Sequence, residues 1–172
     1  MWSSHAVAEA VVLRAEGRPA EALAAAERAL AAREQMGLNN WQIKQTIESA
    51  LATGNLDKAR ETLAILDGLR PGEFTPLLAA IGGRYGARIA VVTGEGDPRE
   101  GFATAEMRYR EIGLPFHLAM AQLEHGEWLV AAGEQGDATT LLAEAREVFE
   151  RLRAAPWLER LDRARAGAEV HA

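Results

Sequence analysis

Apolar residues along this chain recur at helical spacing around four glycines. Gly17, Gly54, Gly96 and Gly133 stand 37, 42 and 37 residues apart. Five, nine and twelve residues after each glycine come Ala22, Ala26 and Ala29; Ala59, Leu63 and Leu66; Gly101, Ala105 and Arg108; Ala138, Leu142 and Ala145. Eleven, seven and four residues before each come Ala6, Ala10 and Leu13; Ile43, Ile47 and Ala50; Tyr85, Ile89 and Val92; Gln122, Gly126 and Leu129. Both sets have the i, i+4, i+7 spacing of one helix face. Of these 24 slots, 22 are apolar or glycine, so the pattern predicts paired amphipathic helices that meet at the glycines.

Helix punctuation falls where this pattern needs it. Pro19 and Pro98 occupy first-turn positions, which tolerate proline. Asp97 and Asn55 precede helices and can accept hydrogen bonds from their free N–H groups. Pro71-Gly72, Gly113 with Pro115, and Pro156 mark stops and starts. Helices are expected near 3–16, 19–36, 41–53, 56–69, 75–93, 98–112, 116–132, 137–153 and 156–168. Residues 37–40 and 69–75 read as inter-repeat loops. The expectation is a single all-α domain over 1–172, an α-solenoid of about nine helices. Its repeats span about 3–36, 41–69, 75–112 and 116–153, followed by a capping helix at 156–168. Gly82, Gly83 and Gly86 predict close helix approach in the third repeat, which is the least regular.

Composition narrows the chemistry. The 172 residues are 48% hydrophobic and rich in alanine, the best helix former. There is no cysteine, which excludes disulfides, thiolate metal sites and cysteine nucleophiles. A net charge of −6 disfavours direct contact with nucleic-acid phosphates. Met1 to Gly17 lacks the basic start of a signal peptide. The longest stretch without a charged side chain, Ile112 to Leu123, is too short to span a bilayer. The expected location is cytoplasmic. The Ala/Arg/Gly bias, with Lys44 and Lys58 as the only lysines, reads as a bacterial coding habit.

Gly54, Ala59, Leu63, Leu66 and Pro71 stand at the spacing of a turn glycine, small alanine, large apolar, small apolar and closing proline. In this the second repeat resembles the tetratricopeptide family. The fourth resembles it through Gly126, Gly133, Ala138, Leu142 and Ala145, the first through its alanines. The third departs from it at Gly101 and Arg108. A second resemblance runs from Ile112–Ala119 (IGLPFHLA) to Phe149–Trp157 (FERLRAAPW). This segment resembles the end of the helical-repeat arm of bacterial LuxR-type regulators and cyclase-linked signalling ATPases. Arg153 stands where that group has glycine. The resemblance implies the tail of a longer protein, an arm that senses a protein or small ligand and restrains an ATPase.

Candidate catalytic and metal-binding constellations all have plainer readings. Gly94, Gly96 and Gly101 superficially match a phosphate loop, but the spacing is wrong and Glu95, Asp97 and Glu100 would repel phosphate. His117 and His125 lie eight apart on one helix, whereas helical metal ligands favour i, i+4. Paired acids such as Glu144 with Glu147, or Glu159 with Asp162, read as solvated helix faces. No catalytic residue, cofactor or metal ligand is therefore assigned, and the chain is not expected to be an enzyme. Trp128 and Trp157 read as packed, and Trp41 as less settled.

In tetratricopeptide arrays the first helices of successive units line a groove. That placement selects Arg14, Trp41, Lys44, Glu48 and Glu127 as the candidate partner-binding residues, with Trp41 as apolar anchor and the other four setting polarity. Val7 and Val11 join them on the first helix. Glu48, one turn from Lys44, opposes an anionic ligand. The functional expectation is a non-catalytic protein–protein interaction or scaffold module in bacterial regulation. Its partner would be a protein, a peptide or further repeats of a longer chain, without nucleic acid or membrane. The alternative is the sensing arm of a larger signalling ATPase or transcriptional regulator. Polar capping at one end only, through Arg160, Asp162, Arg163 and Arg165, leads to the expectation of further repeats upstream.

Overall fold

A computed structural model describes residues 2–32, 39–70 and 72–170. Among these residues it is all-helical, with nine α-helices: α1 (Trp2–Ala15), α2 (Pro19–Ala31), α3 (Asn40–Ala52), α4 (Leu56–Ala64), α5 (Pro76–Thr93), α6 (Pro98–Glu111), α7 (Pro115–Ala131), α8 (Gln135–Arg151) and α9 (Ala155–Val170). Each expected helix is present, most within two residues of its expected bounds. The second helix ends at Ala31, short of the expected 36; residues 33–36, the loop at 37 and 38, and Pro71 lie outside the described residues. The fourth expected helix divides. After Ala64 the chain tightens into a 3-10 turn, Ile65–Gly68, a common way for a helix to end.

The chain forms two compact units, Met1–Ile81 and Gly82–Ala172, with the division inside α5. In the first unit α1 packs on α2, α2 on α3, α3 on α4, and α1 also touches α3. In the second, α6 packs on α7, α7 on α8 and α8 on α9, while α9 also touches α7. Contact with the next helix and the next but one is the pattern of a helical repeat.

The recurring glycine has one physical explanation. At Gly17, Gly54 and Gly133 φ is +74°, +72° and +82°, a left-handed conformation that costs glycine little. Each turn closes with the same pair of bonds: the glycine N–H donates three residues back, and the next N–H donates five residues back. Arg18 reaches the Leu13 carbonyl, Asn55 reaches Ala50 and Glu134 reaches Leu129, all at 2.9 Å. This doubly bonded helix ending satisfies carbonyls that would otherwise be orphaned.

The third turn uses two glycines. Here α5 ends at Thr93, and Gly94 (φ +69°) is the cap, with its N–H on the Ala90 carbonyl at 2.8 Å. Gly96 (φ +81°) follows two residues later and stands two before Pro98, as Gly17 stands two before Pro19. Counted from Gly96, Tyr85, Ile89 and Ala105 are buried as expected, whereas Val92 is 63% exposed. Counting back from Gly94 reaches Ala87 and Gly83, which do face a neighbour. A Cβ on Gly83 would lie 2.6 Å from the Gly101 carbonyl oxygen, and one on Gly101 would lie 2.7 Å from that of Gly83. The α5 and α6 backbones touch at this pair of glycines.

Arg153 adopts φ +52° at the end of α8. Its N–H donates to Glu150, and that of Ala154 to Phe149 at 2.9 Å, the same doubly bonded ending as at the glycines. An L-residue is strained here, so Arg153→Gly is expected to raise stability by about 0.5–1 kcal/mol after the entropic cost of glycine. A thermal melt checks this; unchanged or lower stability would mean the arginine side chain compensates the strain.

Alanine lets helices of the first unit approach closely. Ala10, Ala22, Ala25 and Ala26 are fully buried and cluster with Leu13. In the second unit Ala119, Met120, Leu123, Leu142, Phe149 and Leu161 form a core packed by Phe116 and Trp157. The Trp157 ring stacks on Phe149 at 5.7 Å and meets Phe116 edge-on at 5.8 Å. Trp157 is thus packed, as expected.

Candidate functional site

The first unit positions four of the five candidate residues on α1 and α3. Asn39 starts α3 with a capping box: its side chain accepts from the Gln42 N–H at 3.0 Å, and its own N–H donates to the Gln42 side chain at 2.9 Å. Two free donors are satisfied reciprocally, and the first helical turn is fixed. Gln42 also donates to the Ala29 carbonyl at 2.9 Å, and Thr46 to that of Ala26 at 3.3 Å, tying α3 to α2. On this anchored turn Trp41 is 55% exposed. The Lys44 ammonium lies 5.1 Å from its ring centroid, a cation–π contact that restrains the indole.

Arg14 reaches across from α1 and donates to the buried Gln45 side chain at 2.7 Å. One turn earlier on α1, Val11 is 39% exposed. Glu48, one turn beyond Lys44, is half-buried. Arg14, Trp41, Lys44 and Glu48 therefore share one unit and two neighbouring helices.

Glu127 lies in the second unit, on α7. Arg160 of α9 grips it with both sides of the guanidinium, Nε at 2.7 Å and Nη2 at 2.6 Å. It belongs to a larger ion network that the sequence reading did not single out. Arg84 of α5 donates from Nε and Nη2 to both oxygens of Glu124, each at 2.7 Å. The side chains of Arg84 and Glu124 are only 2% and 5% exposed. Arg88 and Arg160 approach the same Glu124 oxygen at 3.6 and 3.9 Å. Tyr85 lies under both Arg84 and Arg88, at 5.1 and 5.2 Å. The network pins three helices, and burial of both partners makes removal of either one alone costly. The available sequence signal was one acid, Glu124, directly after the longest uncharged stretch.

His117 and His125 take packing positions. The His117 ring lies against Tyr109 at 5.5 Å and Phe116 at 6.1 Å. His125 is sandwiched between Phe102 at 5.0 Å and Trp128 at 6.0 Å, and its Nδ1 meets the Glu106 carboxylate at 2.8 Å. Trp128 is thus packed on one face by histidine, and it lies 5.0 Å from the Arg99 guanidinium. Among the described residues no three histidine, aspartate or glutamate side chains are grouped to hold a metal ion. The glycine-rich turn is preceded by helix, not strand, and Asp97 caps α6 by accepting from the Arg99 N–H at 2.9 Å. No helix among the described residues is long and apolar enough to cross a membrane.

The arrangement offers an exposed, restrained indole beside mixed charge in one unit and an ion network in the other. No protein-family model and no curated protein matches this chain.

Proposed function

We propose that the chain is a tetratricopeptide-like, non-catalytic protein-interaction module of the bacterial cytoplasm. Its recognition surface is the α1–α3 face of the first unit. The observation that carries this reading is Trp41. An indole more than half exposed on a capped first turn, restrained by Lys44, forms a rigid anchor whose conformational cost is met before a partner arrives. Val11 extends the apolar contact, and Arg14, Lys44 and Glu48 set the polarity of the partner. An amphipathic helix suits such a surface.

A displayed library of amphipathic peptides selected against the immobilised protein tests this. Peptides so recovered are expected to lose affinity about tenfold or more for Trp41→Ala, the effect of losing an aromatic anchor. Lys44→Glu is expected to lose several-fold. Unchanged affinity for both variants overturns the surface.

The alternative, a sensing arm of a larger signalling ATPase or regulator, draws support from one position. Arg153, which stands where the resembling group has glycine, adopts the left-handed backbone that favours glycine. An immunoblot of source-cell extract separates the two readings: a band near 18.6 kDa supports a free-standing scaffold, and a band several times larger supports the arm.

A further inference from the structure

The second unit carries a cleft unrelated to the Trp41 surface. It lies between the start of α6 and the first half of α8, over α7, with a volume of about 620 Å³. That size falls within the range of sites that hold a small ligand or a side chain with its flanking backbone. Leu129 and Leu141 supply its apolar floor, and Asp97, Glu100 and Asp137 its rim. The one guanidinium among the lining residues, Arg99, is already committed. It meets the Glu134 carboxylate at 2.5 Å and lies over Trp128. Glu134 is held below the usual carboxylate range by that bond, so the pair stays charged and internally neutralised. The cleft thus sets three carboxylates against one lining guanidinium, Arg99, which attracts Asp97 and Asp137 but is hydrogen-bonded to Glu134, so negative charge is in excess.

We propose that this cleft docks a lysine-rich peptide segment of a partner protein. Charge complementarity selects a cation. The apolar floor selects one carried on an alkyl stem, as lysine carries its ammonium on four methylenes. An ammonium has three donors and no planar constraint, which suits three separate carboxylates better than the flat fork of arginine. Asp97, Glu100 and Asp137 also sit in or beside first helical turns, where acids are favourable by themselves. That role stabilises the helices, but it does not account for the apolar floor between them.

The probe is a short fluorescent Lys/Ala peptide with blocked ends, followed by anisotropy, with a Glu/Ala peptide as comparison. Binding of the lysine peptide alone is expected, weakening as salt screens the rim. Glu100→Gln with Asp137→Asn is expected to weaken it about tenfold. Ala103→Lys, at an exposed position lining the cleft, places a resident ammonium there and should abolish binding without disturbing the core. Glu159→Gln, on α9 and outside the cleft, should leave it unchanged, as should Trp41→Ala. The proposal is overturned by no binding or by retained binding in Ala103→Lys. An equal loss in Glu159→Gln overturns it too, because attraction would then come from the net charge of −6. Spermidine displacing the peptide at equal concentration also overturns it, since the cleft would then be a small-polycation site.

Discussion

Glu124→Ala is expected to destabilise the protein by about 3–5 kcal/mol, the cost of breaking a buried ion pair from one side. The Arg84 guanidinium, only 2% exposed, would lose both of its 2.7 Å bonds to Glu124. Arg88 and Arg160, already near the same carboxylate, would add like-charge repulsion. Denaturant unfolding of Glu124→Ala and of Glu124→Gln measures the effect. The amide keeps one acceptor and loses the charge, so its cost should be smaller. The double variant Arg84→Met with Glu124→Leu should recover much of the stability, because the pair's attraction is largely offset by the desolvation of both charges. A loss below about 1 kcal/mol in Glu124→Ala would show that water or another group replaces the carboxylate, as at an exposed ion pair.

Gly101→Ala is expected to lower stability by about 1–3 kcal/mol, although alanine is the better helix former by about 1 kcal/mol. The added methyl meets the Gly83 carbonyl oxygen at 2.7 Å and the Ala87 methyl at 3.0 Å. Backbone cannot rotate aside as a long side chain can, so α5 and α6 must separate and their contacts loosen. Gly83→Ala meets the same obstacle from the other side, and the double variant should cost less than the two losses added, since one separation relieves both. Gly136→Ala is the control. It lies in the first turn of α8 with no atom within 4 Å of its added methyl, so the same substitution should raise stability there. Opposite signs at Gly101 and Gly136 in thermal melts are the expected result. A gain at both would mean that the α5–α6 approach is not as close as described.

Helix existence was legible because its causes are local. Leu13, Ala50 and Leu129 stand four residues before a turn glycine, and each is buried where the spacing placed it. Asn55 and Asp97 cap the helices that follow them. The Asn39–Gln42 capping box was legible too, as an asparagine followed three residues later by glutamine, but the loop assignment at 37–40 hid it. Gly96 placed Tyr85, Ile89 and Ala105 correctly but not Val92, because two glycines share this turn and only backbone geometry tells that Gly94 ends the helix.

Candidate site residues were less legible. Helical spacing placed Trp41, Lys44 and Glu48 on one helix, and Arg14 on the helix beside it. That Lys44 sits over the Trp41 ring, and that Arg14 ends on Gln45, depends on rotamers and neighbours. Glu127 was selected as a polar groove position and turned out to be clasped by Arg160, thirty-three residues away.

The amino-acid sequence alone determined the helical class, the number of helices and the turns between them. Each of these follows from periodicity, capping and the backbone freedom of glycine over fewer than about ten residues. Tertiary structure decided which charges are neutralised and where backbones touch. Arg84 and Glu124 are 40 residues apart, and Gly83 meets Gly101 across two helices. No local preference encodes such pairs, because their energies arise only when packing removes water from the charges and the space around the backbone.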